Sequence, residues 1–141
     1  MNETQRQLNN VPTILVVEDD PATSQFYVDL LTIMGYRILV SASGQAALEQ
    51  FPQQPVDVVI LDRRLPDMDG LAVARHIRTT FRSITPMLLV TADRSGTFEQ
   101  ELQALERVEY VPKPFNPDML LERLFAFIGS QSAGYDAIGG P

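Results

Sequence analysis

The sequence predicts an α/β fold in which strands and helices alternate along the chain, a (βα)5 pattern. Short apolar runs recur, and each is followed by a longer stretch with apolar residues at helical spacing. The first run, 13–17, shows no alternation of apolar and polar residues, which is typical of a strand buried on both faces. Together these observations predict a parallel sheet that helices cover on both faces.

The first strand is followed by a helix that begins at Asp20 and Pro21. Aspartate is a favoured N-cap residue, and proline is well accommodated at the first helical position. Gly35 ends this helix, because glycine readily adopts the left-handed conformation that terminates helices. The second strand is predicted over 36–40.

The second helix begins after either Ser41 or Ser43, since both can act as caps, and it ends at Pro52. The third strand is predicted over 56–61. A segment dense in turn-forming residues follows at 66–70.

The third helix runs through Leu71 and Ile77, whose spacing is helical. The fourth strand is predicted over 87–90, because this run is short, apolar and preceded by proline. A fourth helix is predicted over 97–107, and the fifth strand over 108–111.

Pro112 and Pro114 exclude both a helix and a central strand, so a loop follows the fifth strand. Asn116 and Pro117 then begin the last helix as cap and first helical residue. The residues after this helix are rich in Gly, Ser and Ala and offer little to bury. The predicted organisation is a flexible N-terminal arm over 1–11, one domain over 12–128 and a flexible tail or linker over 129–141.

Composition and charge exclude several classes of function. The net charge of −7 disfavours nucleic acid as a direct partner. The absence of cysteine excludes disulfides, thiolate catalysis and cysteine-based metal sites. The sequence shows no apolar run long enough to span a membrane and no signal peptide, so we expect a cytoplasmic protein without a membrane partner.

Charged and polar side chains follow four of the predicted strands. They are Glu18, Asp19 and Asp20 after the first strand, Asp62 after the third, Thr91 after the fourth and Lys113 after the fifth. Lys113 is the only lysine of the chain. Because the carboxyl ends of parallel strands meet at one edge of the sheet, we expect these side chains to lie together.

Such an edge can bind a metal ion and a phosphoryl group. Carboxylates in one place repel each other unless a cation neutralises them. Oxygen ligands select Mg²⁺ or Ca²⁺, and a small number of protein ligands completed by water favours Mg²⁺. The ammonium of Lys113 is a compact charge that suits a small anion. Asp62 is then the candidate nucleophile, since a carboxylate can carry a phosphoryl group.

Four stretches of the sequence also carry a family resemblance. They are Ile-Leu-Val-Val-Glu-Asp-Asp at 14–20, Leu-Asp-Arg-Arg-Leu-Pro-Asp-Met-Asp-Gly at 61–70, Val-Thr-Ala at 90–92 and Pro-Lys-Pro-Phe at 112–115. In this order and spacing, the chain resembles a response-regulator receiver domain of two-component signalling. The resemblance implies a flavodoxin-like, doubly wound sheet with strand order 2-1-3-4-5.

The resemblance implies roles at the acidic edge. Asp62 matches the residue that accepts a phosphoryl group from a histidine kinase or a histidine phosphotransfer protein, and Lys113 matches the lysine that pairs with that group. Asp19 matches a direct Mg²⁺ ligand and Glu18 a ligand through water. The backbone carbonyl of Arg64 matches the remaining ligand beside Asp62.

The resemblance also implies a switch. Thr91 matches the hydroxyl that turns toward the phosphoryl group, and Tyr110 matches the aromatic residue that moves inward with it. The peptide bond between Lys113 and Pro114 is implied to be cis, which only a bond before proline adopts readily. Signalling would pass through contacts with a downstream protein or an output domain outside this sequence, and a homodimer is left open.

Two alternatives remain open beside this phosphorylation switch. One is a pseudo-receiver that binds partners without phosphorylation. The other is a phosphatase with an aspartyl-phosphate intermediate, although phosphatases of the haloacid dehalogenase type place a second acid two residues after the nucleophile, where this chain has Arg64. Beyond self-phosphorylation from a phosphodonor and slow self-dephosphorylation, no enzymatic turnover is expected.

Several residues near these stretches are given structural roles. Asp20 is favoured as a helix cap over a metal ligand, and Asp67 and Asp69 as turn residues. His76 is mid-helix and is assigned no phosphorelay or metal role. Phe115 is assigned to the core.

Two departures from the family pattern affect the site and its surroundings. Arg64 and Asp93 are predicted to pair across the mouth of the pocket and to slow hydrolysis of the acyl phosphate. The segment 105–108 lacks the Gly-Ala-Asp run common in the family, so an irregular fourth helix and lead-in, 93–96, are expected.

Overall fold

The computed structural model describes residues 11–129 of the 141-residue chain. Five strands form one sheet within this part: β1 Thr13–Val17, β2 Arg37–Ser41, β3 Val58–Asp62, β4 Met87–Thr91 and β5 Val108–Pro112. All pairings are parallel and the strand order is β2-β1-β3-β4-β5, which confirms the predicted fold. The predicted arm, apart from its last residue, and the predicted tail beyond residue 129 lie outside the described residues.

The helices lie on the two faces of this sheet. They are α1 Pro21–Ile33, α2 Gly44–Gln50, α3 Gly70–Thr79, α4 Phe98–Gln103 and α5 Pro117–Ile128, with a short 3₁₀ helix at Phe51–Gln53. One core layer lies between the sheet and α1 and α5, and the other between the sheet and α2, α3 and α4. All the residues of β1, β3 and β4 are buried, as their apolar runs predict. Among the described residues, no helix is long and apolar enough to cross a membrane.

Helix starts follow the predicted caps. Asp20 accepts a hydrogen bond from the backbone N–H of Thr23 at 2.9 Å, which confirms it as the cap of α1. Ser43, not Ser41, caps α2, with its hydroxyl accepting from the N–H of Ala46 at 3.0 Å. Ser41 is the last residue of β2, and its hydroxyl donates to Gln50 instead.

Two predicted elements are longer than the observed ones. β3 begins at Val58, because the carboxylate of Asp57 turns back to accept the N–H of Thr13 at 2.8 Å. The helix predicted over 97–107 ends at Gln103. Four residues further on, Arg107 has a φ of 56°, a left-handed conformation that excludes the last residue of the predicted helix from any helix. The bounds of β1 are as predicted, and those of β2, β4 and β5 differ from prediction by at most one residue.

Candidate functional site

Three carboxylates meet at the carboxyl edge of the sheet. Glu18 and Asp19 directly follow β1, and Asp62 is the last residue of the neighbouring strand β3. One oxygen from each lies within 4.8 Å of the others. Glu18 is 4% exposed and Asp62 is 8% exposed, whereas Asp19 faces solvent. The adjacent central strands thus place buried and exposed acids in a single cluster.

Lys113 reaches this cluster from the loop after β5. Its Nζ lies 2.9 Å from Oδ2 of Asp62 and 4.0 Å from Oε1 of Glu18. The loop is held by the N–H of Lys113, which donates to the carbonyl of Thr91 at 3.1 Å, and the Lys113–Pro114 peptide bond is cis as predicted. The ammonium of Lys113 therefore lies against the carboxylate of Asp62, which is 51 residues away in sequence, and near that of Glu18, which is still further away.

Burial and crowding alter the protonation of the cluster. Burial, together with the neighbouring charge of Asp62, raises the pKa of Glu18 from 4.5 to about 7, against a hydrogen bond from the N–H of Asp20 that lowers it. Near neutral pH the carboxyl group of Glu18 therefore holds a proton for much of the time unless a cation offsets its charge. Three carboxylates without sulfur or imidazole donors fit a hard divalent cation such as Mg²⁺.

Asp62 has both carboxylate oxygens engaged. Oδ2 pairs with Lys113, and Oδ1 accepts the backbone N–H of Arg64 at 3.1 Å. A cleft of about 480 Å³ opens in front of the carboxylate. Its lining consists of Asp62, Arg64, Thr91, Ala92, Asp93 and Lys113. The structure thus brings the predicted phosphoacceptor, hydroxyl and ammonium to one cleft.

The hydroxyl of Thr91 is bound to the backbone of the following loop. Its Oγ1 accepts the N–H of Asp93 at 2.9 Å and lies 3.3 Å from the carbonyl of the same residue. Thr91 is 2% exposed. Tyr110 is half-buried on β5, where its ring meets Phe98 edge-on at 5.5 Å and the guanidinium of Arg94 at 4.8 Å. The two predicted switch residues therefore lie on neighbouring strands. Thr91 is held by the loop after β4, and Tyr110 by this loop and the first residue of α4.

The predicted pair at the mouth of the cleft is present. Arg64 Nη2 lies 2.6 Å from Asp93 Oδ2, and the Arg64 side chain is 77% exposed. Hydrogen bonds from Ser95, and then from Arg64, lower the pKa of Asp93 to about 2. The pair is therefore charged at physiological pH, while the role of the Arg64 carbonyl as a metal ligand stays a prediction.

Sequence reasoning missed the contacts of Asp67 and Arg63, two residues of the loop between β3 and α3. Asp67, assigned to a turn, accepts the N–H groups of Gly44 and Gln45 at 2.8 Å each, so it anchors the start of α2 from a loop 22 residues away. Arg63 has a side chain only 11% exposed, and its guanidinium lies 5.1 Å from the ring of Phe98. No local pattern in the sequence signals either contact.

The structural roles predicted for Asp69, His76 and Phe115 agree with their observed contacts. Asp69 caps α3 by accepting the N–H of Leu71 at 2.9 Å. His76 lies edge-on against Phe81, with ring centres 4.9 Å apart, as a packed residue would. Phe115 is half-buried and stacks on Tyr27 at 5.7 Å.

Fold and site together define a class of signalling domain with an acidic pocket at the carboxyl edge of a five-stranded parallel sheet. The family model of the response regulator receiver domain matches residues 14–125, and the chain belongs to this family. This confirms the family predicted from the four sequence stretches.

Curated relatives include longer regulators. Transcriptional regulatory protein KdpE of Mycobacterium tuberculosis is 34% identical over 122 residues, which cover 85% of this chain and 52% of that protein. Response regulator ArlR of Staphylococcus epidermidis is 33% identical over 120 residues, which cover 84% of this chain and 53% of that protein. The chain thus spans about half the length of these curated relatives.

Solved structures with the same fold include a chemotaxis protein and the receiver domain of a sensor histidine kinase. The chemotaxis protein CheY4 of Vibrio cholerae has a TM-score of 0.76 and 30% identity, and the match covers 83% of this chain and 98% of that one. The receiver domain of the sensor histidine kinase PA1611 from Pseudomonas aeruginosa has a TM-score of 0.73 and 34% identity, covering 84% and 98%. That structure holds a magnesium ion in its active-site cleft.

Proposed function

We propose that this chain is the phosphoacceptor switch of a two-component or phosphorelay system. In this proposal, Asp62 accepts a phosphoryl group from a histidine kinase or a histidine phosphotransfer protein. The observation that carries the proposal is the contact of the Lys113 ammonium with Asp62 at 2.9 Å, beside two further carboxylates. An ammonium in this place can pair with a phosphoryl group as well as with the free carboxylate.

The transfer requires little beyond positioning and charge. A carboxylate oxygen of Asp62 attacks the phosphorus, the bond from phosphorus to the imidazole nitrogen of the donor breaks, and an acyl phosphate forms. The cleft of about 480 Å³ in front of Asp62 offers room for the entering group. Ala92 lines this cleft with a small side chain, and Lys113 then faces the new phosphoryl oxygens.

Glu18, Asp19 and Asp62 would hold Mg²⁺, with the carbonyl of Arg64 as the further protein ligand that the family resemblance implies. A bound Mg²⁺ supplies positive charge that offsets the negative charge of the carboxylates and the phosphoryl group. Burial of Glu18 makes its negative charge costly in the metal-free protein, which favours a cation at this place.

The readout of phosphorylation is proposed to begin at Thr91. Its hydroxyl is bound to the backbone of Asp93, and phosphoryl oxygens on Asp62 would compete for the same hydroxyl. Tyr110 would follow, because its ring is packed against Phe98 at the start of α4. The altered surface would then be recognised by a downstream protein or an output domain.

The chain is proposed to act in the cytoplasm, without turnover of an external substrate. Incubation with acetyl phosphate and Mg²⁺, followed by intact-mass measurement, tests this function. A single added phosphoryl group that is absent from Asp62→Asn and absent in EDTA supports the switch. Absence of any mass shift, with tight binding to a partner, would instead identify a pseudo-receiver. Steady release of phosphate from a small ester would identify a phosphatase.

A further inference from the structure

Arg63, the residue after the phosphoacceptor, connects the two loops that border the cleft. Its Nη1 donates to the carbonyl of Asp93 at 2.8 Å, and its Nε lies 3.3 Å from the carboxylate of Asp69. The guanidinium also lies over the ring of Phe98. The Arg63 side chain is 11% exposed, so its guanidinium is largely shielded from water, whereas the Asp69 side chain is 45% exposed. The bond to the Asp93 carbonyl, which is part-buried, is therefore the stronger restraint.

The carbonyl that Arg63 holds belongs to the residue that binds the switch hydroxyl. Asp93 donates its N–H to Oγ1 of Thr91 at 2.9 Å, and its carbonyl faces both Arg63 Nη1 and the Thr91 hydroxyl. The backbone of Asp93 therefore joins the guanidinium of Arg63, on the loop after β3, to the hydroxyl of Thr91 at the end of β4.

A turn of the Thr91 hydroxyl toward Asp62 has a cost in this arrangement. If the loop stays in place, the N–H of the half-buried Asp93 loses the hydroxyl oxygen that it binds, and loss of this hydrogen bond is unfavourable. If the loop follows the hydroxyl, the carbonyl of Asp93 leaves Arg63. In either case a contact of the resting arrangement is broken.

We infer that Arg63 is a positioning residue that holds the loop after β4 in its unphosphorylated arrangement and thereby opposes the switch at Thr91. This inference rests on the proposed function. The contact of Arg63 with Phe98 extends the same restraint to the start of α4, because Phe98 is 1% exposed and lies between Arg63 and Tyr110.

The test compares Arg63→Met with the wild-type chain in a titration with beryllofluoride and Mg²⁺, followed by amide NMR. Beryllofluoride serves as a phosphoryl mimic. Methionine keeps an apolar contact with Phe98 but donates no hydrogen bond. Loss of a charged hydrogen bond that only the resting state makes is expected to tighten beryllofluoride binding by about 5- to 30-fold. Arg63→Lys, which keeps the charge but has a single donor nitrogen in place of three, is expected to fall between the two.

Arg75→Met is the matched control. Arg75 lies on α3 and pairs with Glu101 of α4 at 2.8 Å, but among the described residues its side chain forms no hydrogen bond or ion pair with the loop after β4. The affinity of this variant for beryllofluoride is expected to equal that of the wild type. Thermal unfolding of each variant separates a loss of stability from a shift of the switch.

A second readout needs no phosphoryl mimic. In the unphosphorylated protein, hydrogen exchange at the amide of Asp93 is expected to be faster in Arg63→Met than in the wild type. Equal or weaker beryllofluoride binding by Arg63→Met would overturn the inference. If the wild type itself binds no beryllofluoride, the proposed function fails, and an unchanged exchange rate at Asp93 would reject the positioning role of Arg63 independently.

Discussion

Removal of the Arg64 side chain is expected to shorten the lifetime of the phosphorylated form. The guanidinium of Arg64 pairs with Asp93 at 2.6 Å across the mouth of the cleft that holds Asp62. Water that hydrolyses an acyl phosphate on Asp62 has to enter through this mouth. Arg64→Ala opens the mouth and leaves the backbone N–H that binds Asp62 in place.

The size of the effect follows from the exposure of the pair. With the Arg64 side chain 77% exposed, solvent screens the interaction, so the pair contributes little to folding. The unfolding temperature of Arg64→Ala should therefore remain close to that of the wild type. Because an exposed pair closes the mouth of the cleft for only part of the time, its removal is expected to raise the rate of acyl-phosphate hydrolysis by about two- to fivefold.

The assay follows decay of the phosphorylated mass after acetyl phosphate is removed by desalting. Asp93→Ala should shorten the half-life as Arg64→Ala does, and the double variant should add little, since both remove one interaction. Arg75→Ala removes a comparable surface pair with Glu101 away from the cleft and should leave the half-life unchanged. An unchanged or longer half-life in Arg64→Ala would refute the gating role of the pair.

Three further predictions concern the metal-free site, the ammonium and a close backbone contact. In EDTA, the free energy of unfolding should fall by about 2 kcal/mol as the pH rises from 5 to 8, because the folded chain keeps a proton on Glu18 up to about pH 7 and the unfolded chain releases it near 4.5. Chemical denaturation measures this dependence, and Glu18→Gln should make it weaker. The same dependence on pH in the wild type and in Glu18→Gln would contradict the prediction. Lys113→Met should slow phosphoryl uptake from acetyl phosphate about 10- to 100-fold, because a charged hydrogen bond is lost. Intact-mass measurement over time gives the rate of uptake, and an unchanged rate would count against the role of the ammonium. Gly70→Ala should destabilise the fold by about 1–3 kcal/mol, because a Cβ would clash with the backbone carbonyl oxygen of Asp62. Gly44→Ala should cost less in the same denaturation assay, because its Cβ would meet the flexible side chain of Met68.

The sequence was sufficient to predict the sheet and most of its acidic edge. The apolar runs of β1, β3 and β4 are buried on both faces, so they carry an unambiguous signal. Because parallel strands end at one edge, Asp62 and Lys113 could be placed together from their positions after strands. The four family stretches added the expected strand order.

The contacts that were missed depend on tertiary structure. Arg63 and Arg64 are adjacent and chemically identical, yet one side chain is 11% exposed and the other 77%. Arg63 lies over the ring of Phe98 and donates to the carbonyl of Asp93, whereas Arg64 pairs at the surface with the carboxylate of Asp93. The early end of α4 at Gln103 was likewise missed, because no glycine or proline lies between Gln103 and the left-handed Arg107.

Identification of the phosphorylated side chain tests the central claim most directly. Borohydride reduces an acyl phosphate to an alcohol, so the chain treated with acetyl phosphate and Mg²⁺ can be reduced, digested and sequenced by fragment mass spectrometry. The account predicts reduction at residue 62 alone, and none when EDTA replaces Mg²⁺. Reduction at Asp19, Asp57 or any other carboxylate, or phosphate uptake that leaves Asp62 unreduced, would contradict it.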